Sequence, residues 1–334
     1  MRNAYAYIGK KDITKRSSSG GAFMAIAKAF FEAYENGKAY GVVFGDDLNV
    51  EYAVAESFAE CKRFQGSKYV QSDMNGTIKQ IVDCLKSNTA VLFVGTPCAV
   101  AGVKKAAQAN GVYGENLWLV DLICHGIVGK KLWKDYIAWI EKRHHAKVEE
   151  YSFRYKPVSW RGYPVYVKLS NGKELIDTYE IRTYIRAFLR CISMRNACFQ
   201  CQFKKTERTG DVTLGDLWGA ESILSDSRVS TGVSLCLENT EIGALILKKV
   251  QAAIANEGTV FEKLDDDSFM NRQDNLKHAL VKPREYEVFW STYEKFGFDT
   301  AIRKAGIFTL RGRIRAAGIV LLKKTGIYSA LKNK

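Results

Sequence analysis

Apolar and polar positions in the first half of the chain switch repeatedly between two periods. Gly20 to Asn36 carries apolar residues at helical spacing, Ala39 to Gly45 and Val50 to Ala55 read as strands, and Thr77 to Leu85 returns to the helical period. Ala90 to Gly95 predicts a buried strand, Cys98 to Ala109 a helix, Leu117 to Cys124 another apolar strand, and about Lys130 to Arg143 a helix. Such alternation predicts a parallel sheet with helices on its faces. From about residue 147 the pattern turns strand-rich: Val148 to Tyr155, Val165 to Ser170, a tight Asn171-Gly172 hairpin turn, then Lys173 to Asp177. Glu180 to Leu189 reads as a helix and Cys191 to Thr209 as a polar loop. Asp211 to Gly215 and Val233 to Leu237 read as short strands, Glu241 to Asn256 as a helix, and the tail from Tyr286 as mostly helical. The expected class is α+β in three portions. Residues 1–146 form a β/α-alternating portion with a partly parallel sheet, 147–285 an α+β portion carrying a CxxC loop, and 286–334 a basic helical tail.

Composition narrows the class without changing it. A chain of 334 residues with 47% hydrophobic and 26% charged residues can bury a substantial core. Four prolines and no low-complexity stretch argue against long disordered linkers. Met1-Arg2-Asn3-Ala4-Tyr5 is followed by no apolar signal-peptide region, and no apolar run approaches the roughly 20 residues of a membrane span. The expectation is a soluble, cytoplasmic protein. A formal charge of +14 would attract nucleic acid, an anionic membrane or an acidic protein. No RNA-binding signature and no helix-turn-helix pattern accompanies it, so no nucleic-acid function is expected.

In a reducing compartment, eight cysteines point to metal or redox chemistry rather than disulfides. In Gly95-Thr96-Pro97-Cys98, Thr96 suits an N-cap and Pro97 a first helical position, which places Cys98 in the first turn of a helix, where the dipole favours its thiolate. Cys98 follows one predicted strand and Cys124 ends the next. The helix between them makes the strands parallel, with both thiols at the carboxyl edge of the sheet, where open α/β sheets bind ligands. Cys198-Phe199-Gln200-Cys201 adds a CxxC pair in a loop. Four thiolates suffice for one 4Fe-4S cluster or one all-cysteine zinc site; buried cysteines with no ligand remain the plain alternative. Cys61, Cys84, Cys191 and Cys236 read as bystanders.

Several segments then form an ordered set. These are Ser17-Ser18-Ser19-Gly20-Gly21-Ala22-Phe23, Gly66-Ser67-Lys68-Tyr69-Val70-Gln71-Ser72, Gly95-Thr96-Pro97-Cys98, Cys124-His125-Gly126, Ser152-Phe153-Arg154-Tyr155-Lys156, the CxxC pair, and Asp211-Val212-Thr213-Leu214-Gly215-Asp216-Leu217-Trp218-Gly219. In identity and order they resemble the beta subunits of coenzyme F420 hydrogenases and dehydrogenases, over about residues 15 to 250. The resemblance implies an FAD and a 4Fe-4S cluster in this chain, with Cys98, Cys124, Cys198 and Cys201 as cluster ligands. It implies flavin contacts from Ser18, Ser19, Gly20 and Gly21, from Gly66, Ser67, Lys68 and Tyr69, from Thr96, and from Asp216, Trp218 and Gly219. Substrates of such proteins are hydride carriers such as F420, or other small conjugated molecules.

The residues themselves speak less sharply. Ser17 to Gly21 before an apolar helix offers hydroxyls, backbone N–H groups and a helix amino terminus for a phosphate, or an ordinary serine cap with a flexible glycine pair. Lys68 could stabilise an anionic reduced flavin or a phosphate, or stand solvated on the surface. His125 could tune a cluster, carry a proton, or serve structure alone. Outside the resemblance stand a basic binding protein with a structural zinc site and a thiol oxidoreductase using Cys198 and Cys201.

Many relatives carry an amino-terminal ferredoxin module, whereas no CxxCxxC precedes Cys98 here. Electrons would therefore be exchanged with a separate acidic protein such as ferredoxin, or with another redox subunit. The tail, with Lys304, Arg311, Arg313, Arg315, Lys323 and Lys324 among apolar residues, is one candidate docking element. It could equally pack on the domain with a solvated charged face, or lie against an anionic membrane as a peripheral contact.

Overall fold

The computed structural model describes residues 3–265 and 267–324. Its strands are β1 (Asn3–Ile8), β2 (Lys38–Phe44), β3 (Val50–Ala55), β4 (Val91–Gly95), β5 (Leu117–Leu122), β6 (Val148–Ser152), β7 (Tyr166–Leu169), β8 (Glu174–Ile176), β9 (Val212–Asp216), β10 (Ser234–Glu238) and β11 (Val260–Lys263). Its α-helices are α1 (Lys11–Arg16), α2 (Ala22–Ala33), α3 (Thr77–Lys86), α4 (Pro97–Ala109), α5 (Lys130–His144), α6 (Thr183–Leu189), α7 (Glu241–Ala253), α8 (Glu285–Lys304) and α9 (Leu310–Lys324). The mixed α/β class is as expected, with a partly parallel sheet, a strand-rich middle and a helical tail. Residues 325–334 of that tail, and the side chains of Lys323 and Lys324, lie outside the described part.

An eight-stranded sheet of order β11-β1-β10-β9-β5-β4-β2-β3 runs through the molecule. Its centre, β2-β4-β5-β9, is parallel, and the flanking pairs are antiparallel. The central strands are nearly all apolar, Val91 to Phe93 and Leu117 to Val120 being buried, as strands covered on both faces must be. The sheet draws on both sides of the division at residue 146: β9, β10 and β11 return to pair with β5 and β1. Residues 148–176 fold apart as a small antiparallel sheet, β6-β7-β8, closed by the expected turn in which Gly172 N donates to Leu169 O.

Aromatic packing joins that small sheet to the helices. Trp133 and Tyr136 of α5 are buried against Tyr151, Phe153 and Tyr184, and Trp139 packs on Phe298 of α8 and on Phe308. The Trp139 indole donates to Asp299 at 2.7 Å, so α8 is anchored to α5 by a ring and a hydrogen bond together. Among the described residues no helix is long and apolar enough to cross a membrane.

Candidate functional site

Three parallel strands end side by side, and their carboxyl ends set out the site. After β4 comes Thr96, which takes the N-cap position of α4 with Pro97 in the first turn. After β5 comes Cys124, and β9 ends at Asp216. Thr96 does not cap the helix with its side chain; its Oγ1 lies 3.3 Å from Cys98 Sγ. Against this edge lies a cavity of about 570 Å³. Its wall includes Ser18, Ser19, Gly21, Gly66, Ser67, Lys68, Tyr69, Thr96, Asp216 and Trp218, together with Cys98, Cys124 and His125.

Two glycines expected there stand behind the wall. Gly20 presses on the end of β1: a Cβ at Gly20 would collide with Tyr7 O and sit 2.6 Å from Ser234 N. A Cβ on Gly219 would meet the Arg272 guanidinium at 2.7 Å. Both glycines permit close packing of the segments that carry the lining residues. No serine caps α2 either; its N-cap is Gly21, without a side-chain bond.

A polar scaffold fixes the lining. Ser67 N donates to Ser18 Oγ at 2.8 Å and the two hydroxyls lie 2.9 Å apart, so the Ser17–Gly21 and Gly66–Tyr69 segments are tied directly. The Arg154 guanidinium, its side chain only 3% exposed, donates to Asp216 Oδ2 (2.9 Å), Ser18 O (3.0 Å), Trp160 O (2.9 Å) and Tyr69 OH (3.3 Å). It also faces the Tyr163 ring at 4.6 Å, while Trp160 stacks on Trp218 at 5.4 Å. The Lys156 ammonium donates to the carbonyls of Thr14, Ser19 and Thr231, and burial pushes its pKa down to about 8. Arg154 and Lys156 lie in the Ser152–Lys156 segment, whose sequence marks a charged motif but gives no sign of what the charges hold.

Lys68 stands at a junction. Its Nζ donates to Phe64 O and Gln65 O at 3.2 Å, closing the end of a short 3-10 turn at Glu60–Phe64, and burial lowers its pKa to about 8. Beside the main cavity is an open recess of about 550 Å³ that includes Arg16, Arg63, Lys68 and Arg154 against one carboxylate, Glu51. The two spaces share Gln65, Gly66, Ser67, Lys68 and Arg154 as a common wall.

Loop contacts draw together the segments that carry Cys124 and Cys198. Val128 bridges Met194, and Arg195 N donates to Ile127 O at 2.9 Å, so the chain after Cys124 runs beside the chain before Cys198. Lys204 Nζ donates to His125 O (3.0 Å) and Asn275 Oδ1 (2.8 Å). The buried Asp121 at the end of β5 accepts from Arg208 Nη2 (3.1 Å), Thr213 Oγ1 (2.5 Å) and the backbone N–H groups of Thr209 (3.2 Å) and Gly210 (3.1 Å). That ion pair, 1% and 0% exposed, fastens the far end of the cysteine loop to the sheet.

The thiols feel one another. Burial pushes the Cys124 thiol up to about 12, with Cys98 and Cys198 raising it further. Burial also raises Cys198, and Cys201 and Cys98 add to it. Lys204 is lowered by burial and drawn back up by Cys124, Cys191, Cys201 and Cys198. Among the described residues no three His, Cys, Asp or Glu side chains are close enough together to hold a single metal ion.

Cys61 and Cys236 are buried in the core, and Cys84 lies 3.6 Å from Tyr40 OH. Cys191, read as a bystander, lies 3.5 Å from His125 Nε2 and within the field of Lys204. His125 Nε2 donates to Phe188 O at 3.3 Å, and the imidazole packs edge-on to the Phe188 ring at 5.0 Å. Arg272, Gln273, Asp274 and Asn275 complete the cavity wall from a 3-10 segment that has no apolar period to announce it.

Fold and site together define a mixed α/β protein with a cavity at the carboxyl edge of a partly parallel sheet, Cys98 and Cys124 in its wall. The family described as the C terminus of the coenzyme F420 hydrogenase/dehydrogenase beta subunit matches residues 88–262, just over half of the chain. The chain belongs to that family of oxidoreductase subunits. Among solved structures it is similar to a chain from the F420-reducing [NiFe] hydrogenase complex of Methanosarcina barkeri, studied by xenon derivatization. The TM-score is 0.52 and the identity 15%, with 90% of this chain and 95% of that one covered, a likeness that speaks for the fold alone. No curated protein matches the chain.

Proposed function

We propose that the chain is an iron–sulfur flavoprotein that moves electrons between a hydride carrier, F420 or another, and a one-electron carrier. FAD would occupy the cavity of about 570 Å³, and Cys98, Cys124, Cys198 and Cys201 would hold one 4Fe-4S cluster. The observation that carries this reading is the shared wall: Cys98 and Cys124 line the same cavity as Ser18, Ser67, Thr96, Asp216 and Trp218. The donor set fits the groups it would receive. Cys124 feels Cys98 and Cys198, Cys198 feels Cys201 and Cys98, and Cys124, Cys198 and Cys201 act on Lys204, so these thiols would gain from giving up their protons to a metal centre.

Bound flavin would supply the conversion between paired and single electrons. The chain's own residues would do the holding. Ser18, Ser67 and the backbone near Gly66 offer donors to a phosphate, and Trp218, backed by Trp160, offers a flat apolar face to a ring. Arg154 and Lys156 keep the serine loop in place, and the basic recess with Arg16 and Arg63 would take an anionic part of the carrier.

Anaerobic purification followed by iron, sulfide, zinc and flavin analysis tests the reading. About one FAD and four irons per chain are expected from the four-thiolate site. Cys98→Ala, Cys124→Ala, Cys198→Ala and Cys201→Ala should each lose iron, whereas Cys84→Ala should keep it. Stoichiometric zinc with no iron after reconstitution would overturn the cluster, and failure to bind added FAD would overturn the flavin.

A further inference from the structure

Residues 300–334 contain nine Lys and Arg and no Asp or Glu, although the chain as a whole has 36 acidic residues. Of the described basic residues, Arg303 and Arg313 come together with Arg143 at one end of the fold. Phe308, buried, has three guanidinium groups about its ring: Arg143 from the last turn of α5 and Arg303 from the last turn of α8, each at 5.4 Å, and Arg313 from α9 at 5.7 Å. Among the described residues only Glu180 and Asp299 answer them, pairing with Arg143 and Arg303.

The start of α9 is fixed to this end. Thr309 N donates to Tyr179 OH at 3.2 Å, and Gly312 faces the same ring so closely that a Cβ there would collide with the hydroxyl. With 3.6 residues per turn, the side opposite Gly312 carries Leu310 and Ile314. Both are left in water, 69% and 65% exposed, with Arg311, Arg313 and Arg315 exposed around them. Phe296, 64% exposed with Lys304 Nζ 5.8 Å from its ring, repeats the combination on α8. An ordinary packed helix would do the reverse, burying Leu and Ile and exposing only the charges. In sequence α9 continues with Ile319-Val320-Leu321-Leu322-Lys323-Lys324.

We propose that this end of the molecule, α9 with the last turns of α5 and α8, is a docking surface for an anionic lipid bilayer. Basic residues would lie at the headgroups, with Leu310, Ile314 and Phe296 entering the boundary with the acyl chains. Charge complementarity favours lipid over an acidic protein, because large aliphatic side chains interleaved with arginine match the layered chemistry of a headgroup region. An acidic protein would pair with the arginines and leave the apolar residues in the rim, where they gain little. The inference does not depend on which cofactors the cavity holds.

Flotation of the full chain with vesicles tests it. Binding is expected to vesicles of phosphatidylglycerol and phosphatidylcholine, to be weak on phosphatidylcholine alone, and to fall as salt rises. Replacing Arg311, Arg313 and Arg315 together by Gln should lower partitioning roughly a hundredfold. Leu310→Ser with Ile314→Ser should also lower it, with the flavin content and melting temperature of both variants unchanged. Equal binding to neutral vesicles, no binding to anionic ones, or indifference to both sets of substitutions would overturn the proposal. So would loss of binding to an acidic ferredoxin in the arginine variant while vesicle binding stays intact.

Discussion

Arg154 shows how much one buried charge can organise. Its guanidinium joins β9, the serine loop, Trp160 and Tyr69 through four hydrogen bonds, while its Nε, also buried, has no partner. Arg154→Met removes every bond and leaves Asp216 without its counter-ion, which should cost about 3–5 kcal/mol in urea unfolding. Arg154→Lys should recover only part, since an ammonium cannot reproduce the fork. Lys68 makes a different prediction. Its ammonium, brought down to about 8 by burial, would be raised again by a bound anionic group. A group whose pKa is higher in the bound state contributes affinity in full below the free-state value and loses it as pH climbs through the bound-state value. FAD affinity should thus be level below about pH 8 and decline above it, and Lys68→Met should bind more weakly with no such decline. Flavin fluorescence titrations across pH check this; an affinity that falls on the acid side instead would remove Lys68 from the site. Along the chain Lys68 reads equally as a partner for a phosphate or an anionic flavin and as a solvated lysine, and Arg154 has no assigned role until the fold turns it inward.

At the scale of elements, the crossover β4-α4-β5 was legible because everything it needs is local. Two apolar runs, a Thr-Pro start and a helix of ordinary length imply parallel strands, and parallel strands bring Cys98 and Cys124 to one edge. The rest of the sheet depends on long-range pairing. Asp211 to Gly215 and Val233 to Leu237 read as strands, yet nothing local tells that β9 lies against β5, a pairing that puts Asp216 and Trp218 beside the thiols. β1 and β11 carry no sustained alternation and pair with each other across more than two hundred residues. The cysteine loop is the other element local pattern leaves open, since its position comes from Asp121 and Arg208. Asp121→Ala would leave a fully buried guanidinium unpaired, and should cost about 3–5 kcal/mol. It should also free the loop end, so the iron-to-protein ratio after anaerobic reconstitution should fall more than the flavin ratio. Asp121→Asn, which keeps the shape and one acceptor, should fall between. Equal loss of iron and flavin would mean that the ion pair supports the fold as a whole and not the loop.

On the scale of the whole molecule the question is where electrons enter and leave. In the function proposed above, a cluster held by Cys98, Cys124, Cys198 and Cys201 would exchange electrons with a one-electron carrier. Charge decides what kind. Of the formal +14, residues 300–334 supply nine positive charges, leaving +5 on residues 1–299. If the tail belongs to a lipid surface, an acidic carrier is drawn only by the smaller, dispersed charge of the body. Reduction of the flavin by a reduced acidic ferredoxin should then slow as ionic strength rises, but with the shallow dependence of a few charges. Replacing Arg311, Arg313 and Arg315 by Gln should leave both the rate and its salt dependence nearly unchanged. Stopped-flow measurements of the two proteins over a salt series give the slopes. A rate indifferent to salt would show that an acidic carrier is not the partner. A slope that collapses in the arginine variant would give the tail to the carrier, and the membrane assignment would have to be withdrawn.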